Sequence, residues 1–265
     1  MTEPDIVLET RDLSRHFGGL QAVEGVNLRI QAGCLHSIIG PNGAGKTTLF
    51  NLLSGVLKPS RGQVLLRGQD ITPLPAHRIA HLGLGRSYQI TNLFPTLTVL
   101  ENVRLAAQAL GGDNFKLFTP ASRFRQYEDR ARAALAETGL ERQALAPALS
   151  LPHGDQRKLE LALLLAQDPA VLLLDEPTAG LASELVPEFM ALVDRIRRAS
   201  HKTIVIVEHN MNIVMALSDR ITVMHLGRLL AEGTPAEITA NTVVQQAYLG
   251  ELYGDLVGLA PEAPA

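Results

Sequence analysis

The sequence predicts an α/β fold, and three observations carry that prediction. A short apolar segment runs through a glycine-rich loop into a helical pattern near the N-terminus, two continuous apolar segments with polar ends lie in the C-terminal half, and a helical stretch separates the two regions.

The elements follow in chain order. "IVLETRDL" and "GVNLRI" within residues 6–32 have β-type composition, and "GQVLLRG" at 62–68 reads as a further strand bounded by glycines. "LHSIIG" at 35–40 is the strand that ends in the glycine-rich loop, and "KTTLFNLLSGVL" is the helix that follows it. From about Leu100 to Ala166 the pattern is helical, with apolar residues three and four apart in "YEDRARAALAETGL". "AVLLLDEP" and "KTIVIVEH" then read as parallel strands buried on both faces. The expected organisation is one domain over 1–250, with a core at 1–88 and 167–250, an antiparallel β subdomain, and an inserted helical subdomain at about 89–166. Residues 251–265, ending "LAPEAPA", are expected to be a frayed tail.

Composition narrows the class. A chain of 265 residues with 46% apolar side chains can bury a sizeable core. A net charge of -3 and a pI near 6.2 give no basic field, so nucleic acid is not an expected partner. The single cysteine, Cys34, excludes an internal disulfide framework and a cysteine-rich metal site, and it fits a reducing compartment. The start "MTEPDIVLETRDL" is acidic and has no apolar centre, unlike a secretory signal. Apolar runs such as "LELALLLA" fall far short of the roughly 18 residues that span a bilayer. A soluble chain is expected, with any membrane role coming through partners.

"GPNGAGKT", Gly40 to Thr47, has the spacing G-x-x-x-x-G-K-T between a strand and a helix. Glycines let the backbone wrap phosphates, and the helix N-terminus aims amides at them. Nucleotide contacts are therefore expected from Gly40, Asn42, Gly43, Ala44, Gly45, Lys46, Thr47 and Thr48, with Lys46 reaching the terminal phosphates and Thr47 a ligand for Mg²⁺. Asp175 and Glu176 stand at the C-terminal end of a buried strand, where open α/β sheets place their ligands. Asp175 suits a direct or water-mediated Mg²⁺ role, and Glu176 can orient and polarise an attacking water. His209 ends "IVIVEH" by the same logic, and Gln89 in "GRSYQITNLF" could reach Mg²⁺ or water and also the insertion.

Together these residues resemble the ATP-binding cassette ATPases, a branch of the P-loop NTPases, over nearly the whole chain. The family's order of motifs is matched by Gln89, then Leu151 to Asp155 in place of "LSGGQ", then Asp175 with Glu176, then His209. The resemblance implies that Phe17 in "RHFGG" stacks on adenine and that Pro152, His153, Gly154 and Asp155 face the ATP of a second cassette. It further implies ATP and Mg²⁺ as ligands, two cassettes packed head to tail, and a helical insertion that passes motion to membrane partners. "GLGRSYQITNLFPTLTVLENV", "HGDQRKLELAL", "VEHNMNIVMALSDRITVMHLGRLLAEGTP" and "AYLGE" are similar to the ATPase subunits of branched-chain amino acid importers. Such a subunit would pair with the same or a paralogous ATPase, sit on two transmembrane permeases at the cytoplasmic side of the inner membrane, and serve an extracytoplasmic solute-binding protein indirectly. Cassettes of urea and amide importers and the lipopolysaccharide-extracting ATPase are also similar. A P-loop kinase would lack the signature and the strand-end histidine, and a ribosome- or DNA-directed cassette would usually carry two cassettes or a long coiled coil.

Two positions depart from the family pattern. Counting back from Asp175 without a gap puts Pro152 where the signature has serine, removing a hydroxyl donor to the partner's γ-phosphate. A hydrogen bond to a charged group is worth about 1.5–3 kcal/mol. What would remain are the Gly154 amide, a helix beginning near Asp155, and His153, which either donates or faces solvent. The second departure is Ala182 in "TAGLAS", where the family often has aspartate. A slowed enzyme is expected.

Overall fold

The computed structural model describes residues 5–87, 93–111 and 125–249. Two sheets lie within it. In the larger, the strand order is β11 (Arg228–Gly233), β10 (Arg220–His225), β4 (Leu35–Ile39), β9 (Thr203–Val207), β8 (Val171–Asp175) and β7 (Leu84–Arg86), with only β11 antiparallel to its neighbour. The smaller runs β2 (Leu20–Val26), β1 (Ile6–Phe17), β5 (Arg61–Leu66) and β6 (Gln69–Asp70), all antiparallel, with β3 (Arg29–Gln31) also on β1.

β4, β8 and β9 are buried at every position, as their unbroken apolar runs require. Side chains alternate faces along each strand. Leu172, Leu174, Ile204 and Ile206 pack into a core with α3 (Val99–Ala109), α4 (Arg125–Thr138), α5 (His153–Leu165) and α6 (Val186–Ser200). Val171, Leu173, Val205 and Val207 face the opposite way, into a core shared with α1 (Lys46–Leu53), α2 (Ala76–His81) and the antiparallel sheet. The parallel sheet is thus the middle layer.

The β1–β2 hairpin, in which Phe17 pairs with Leu20 around Gly18 and Gly19, has no counterpart among the expected elements. Register shifts between Leu13 and His16 break the two-residue alternation there. Helix α5 begins at His153, two residues before the expected start near Asp155, with Pro152 as its N-cap residue at φ -55° and ψ 153°. A proline's fixed φ and missing N–H are harmless immediately before a helix, so this residue helps set the start.

Candidate functional site

The ends of β4, β8 and β9 converge on one rim of the parallel sheet. β4 runs into Gly40–Gly45, and α1 begins at Lys46 behind Gly45, whose φ is 98°. A Cβ at Gly45 would run into the Ala22 carbonyl oxygen, and one at Gly40 into that of Met224. These glycines are therefore sterically required. The turn between β10 and β11 fastens the loop from outside, since Gly227 N donates to Ala44 O at 3.0 Å and Glu24 N donates to Gly227 O at 2.8 Å.

The loop floors an open cleft of about 420 Å³, walled by Leu20, Gln21 and Ala22 on one side and reaching Leu226, Glu176 and His209. Asn42, Gly43, Ala44, Gly45, Lys46, Thr47 and Thr48 all line it. Lys46 Nζ folds back onto its own loop, donating to Gly40 O at 2.6 Å and Pro41 O at 3.0 Å. Burial lowers its pKa, while the charges of Glu176 and Asp175 oppose that shift.

Glu176 follows β8 with φ 49°, which turns its side chain out of the strand line toward β9. His209 Nε2 lies 2.8 Å from Glu176 Oε1, and since a carboxylate only accepts, that ring nitrogen carries the proton. Asn210 then caps α7 (Met211–Leu217) through Asn212 N and Ile213 N, fixing where His209 leaves the strand.

Asp175 is buried beneath the cleft and does not form its wall. Its Oδ2 pairs with Arg86 at 3.2 Å, and Oδ1 is buried with no hydrogen-bond partner among the described residues. Burial raises its pKa, and Arg86 opposes the rise. Arg86 also donates to Asn51 Oδ1 at 2.6 Å and Ser54 Oγ at 2.8 Å, tying β7 and β8 to α1. Arg86, and Glu208, which is buried between the two strand ends, are not among the expected site residues; neither belongs to a spacing pattern, and only the folded chain shows what they touch.

Phe17 stands at the hairpin turn, 42% exposed, with the Arg15 guanidinium 4.6 Å from its ring centroid. It is a surface aromatic beside the cleft, outside the walls just named. Gln89 lies outside the described residues. Pro152, Gly154 and Asp155 line a separate hollow of about 160 Å³ with Leu181, Leu185 and Phe189, sharing no residue with the phosphate cleft. His153 leans over Gly180, where an added Cβ would lie 3.3 Å from its ring. Ala182 is exposed and accepts from Leu185 N. One chain therefore carries both sets of residues on different surfaces.

Residues 23–179 match the family model described as ABC transporter. The chain belongs to the ABC transporter ATPase family. A second model, described as branched-chain amino acid ATP-binding cassette transporter, matches residues 228–253 of this ABC ATPase. It is 44% identical over 256 residues to the high-affinity branched-chain amino acid transport ATP-binding protein LivG of Escherichia coli K12, covering 95% of this chain and all of LivG. It is 42% identical to BraF of Pseudomonas aeruginosa, a protein of the same description, over 92% of this chain and 98% of that one. A solved ATP-binding cassette of an ABC transporter in its ADP conformation shares 27% identity at a TM-score of 0.78, covering 92% of this chain and 99% of that chain. A dimeric post-hydrolysis cassette bound to ADP and Pi shares 29% identity at a TM-score of 0.72, covering 86% and 98%. The fold is that of a P-loop ABC ATPase, with its antiparallel sheet and its helices inserted between β7 and β8. The family binds ATP. Among the described residues, no helix of this cassette is long and apolar enough to cross a membrane.

Proposed function

We propose that this cassette is the ATP-hydrolysing subunit of a multi-subunit importer of branched-chain or other amino acids. The observation that carries the hydrolytic reading is the contact between Glu176 and His209 at the lip of the phosphate cleft. The amino acid assignment rests on the likeness to LivG and BraF. The core is taken as 1–88 and 167–250 and the helical subdomain as about 89–166.

Each residue then has a task. Backbone amides of the loop and the start of α1 hold the phosphates, and Lys46 leaves the Gly40 and Pro41 carbonyls to meet the terminal ones. Phe17 offers its exposed ring to adenine. Glu176 accepts hydrogen bonding from the attacking water and orients it, and His209 holds Glu176 while facing the γ-phosphate. The residues present fit a divalent cation, because Asp175 Oδ1 is a buried acceptor with no partner among the described residues. Thr47, Asp175 and Gln89 would hold Mg²⁺, with Asp175 acting through a water because it lies under the cleft wall. When bound, the ion neutralises charge on the phosphoryl oxygens.

Pro152, His153, Gly154 and Asp155 present the first turn of α5 to the ATP of a second cassette, identical or paralogous. The assembly includes two permeases on the cytoplasmic side of the inner membrane, with a solute-binding protein outside. Glu176→Gln should keep ATP affinity, lose turnover and accumulate an ATP-bound dimer on gel filtration; turnover at the parental rate would remove Glu176 from its role. Co-purification with two hydrophobic permeases supports the importer, and stable association with ribosomes instead would overturn it.

A further inference from the structure

β8 and β9 are neighbours up to Asp175 and Val207, and the backbone bond from Glu176 N to Val207 O at 2.9 Å is the last across the pair. Beyond it the chains part: one turns back toward α6, the other enters α7. Glu176 and His209 belong to these parting segments, so the ladder no longer fixes the distance between their side chains.

Glu208 fills the gap. It is 97% buried, and its carboxylate takes three neutral donors from the two segments. Oε1 accepts from Thr178 N at 3.1 Å and Thr178 Oγ1 at 2.7 Å, and Oε2 accepts from His209 N at 3.2 Å. Thr178 is two residues past Glu176, and the accepting side chain is adjacent to His209. The donor set is specific to a carboxylate. An amide in its place would turn an N–H toward either the Thr178 amide or the His209 amide, donor against donor.

We propose that Glu208 is a positioning residue for hydrolysis: its carboxylate ties the segment after Glu176 to the backbone of His209 and so holds the two side chains at contact distance. The tether lies behind the contact, away from the walls of the phosphate cleft, so it should act on turnover and leave nucleotide capture alone. Displacements of about 1 Å at a reacting group cost up to about a hundred-fold in rate. The proposal rests on the reading of Glu176 and His209 as the hydrolytic pair.

The test compares Glu208→Gln, Thr178→Val, Thr178→Ser and the Gln/Val double variant for MgATP affinity by titration calorimetry and for steady-state turnover. The expected result is affinity within about three-fold of the parent throughout, with kcat lowered at least about ten-fold in Glu208→Gln and several-fold in Thr178→Val. Thr178→Ser, which keeps the hydroxyl, should recover turnover relative to Thr178→Val. The double variant should be no slower than Glu208→Gln, because both substitutions cut one tether. Should Glu208→Gln fail to fold, the Val and Ser pair carries the test alone. Parental kcat in Thr178→Val, or loss spread equally over affinity and turnover, overturns the tether. Glu176→Gln and His209→Gln report separately on the underlying reading: if they stop hydrolysis while the tether variants do not, only the tether fails.

Discussion

Pro152 is the residue whose chemistry and structure bear most directly on each other. As the N-cap of α5 it supplies no side-chain acceptor for the first-turn amides, and it also lacks the hydroxyl that a serine would offer to a neighbouring phosphate. Pro152→Ser should therefore change two quantities. Capping should raise stability by about 1 kcal/mol, seen as a higher melting temperature, and ATP turnover should rise, because a donor to the γ-phosphate is restored. Stability rising with turnover unchanged would mean that the Gly154 and Asp155 amides already satisfy the phosphate. At this scale the sequence was legible wherever a residue's role is local. The loop from Gly40 through Thr48 was readable from spacing, because the glycines that its turns and close contacts require stand at fixed intervals in the sequence. Arg86 and Glu208 were not, since the carboxylate of Glu208 reaches Thr178, 30 residues back in the chain, and the partners of Arg86 include Asp175, 89 residues on.

Between elements, the phosphate loop is defined by what presses on it. α1 can start only where the chain turns at Gly45, and that turn passes against the Ala22 carbonyl of β2 and near Gly227 of the β10–β11 turn. Gly45→Ala adds one methyl group in the wrong backbone region and against a neighbouring carbonyl. The variant should lose at least ten-fold in ATP affinity by calorimetry while the far-ultraviolet dichroism of the helices stays close to parental. Parental affinity would show that β2 can yield. Periodicity revealed the apolar strands β4, β8 and β9 because burial on both faces leaves an unbroken run. It concealed the β1–β2 hairpin because bulges and paired glycines erase alternation, and it misplaced the start of α5 because a proline in a loop and a proline before a helix look alike in sequence.

For the molecule as a whole, acid stability should depend on one buried base. His36 on β4 is wholly buried, with Nε2 2.7 Å from Thr222 Oγ1 and Nδ1 without a partner among the described residues. Burial is the main reason its pKa falls from 6.5 to about 4, and the charge of Arg220 adds to the effect. The unfolded chain thus takes up a proton near pH 6.5 that the folded chain refuses until about pH 4. Stability from this group is complete above pH 6.5 and declines as pH falls to about 4, by up to about 3 kcal/mol. Melting temperatures measured across that window should fall more steeply for the parent than for His36→Gln, and parallel curves would rule His36 out as the acid-sensitive group.

The fastening of Ala44 by Gly227 has a thermodynamic consequence. Those backbone bonds join protein groups to one another, so they support the shape of the cradle in addition to any contact the nucleotide makes. Capture spends little conformational entropy on ordering the loop, and the heat-capacity change of binding should reflect the surface that the nucleotide covers and not the folding of a segment. Lys46 Nζ rests on the Gly40 and Pro41 carbonyls of that cradle, so capture should exchange two protein hydrogen bonds for bonds to phosphate.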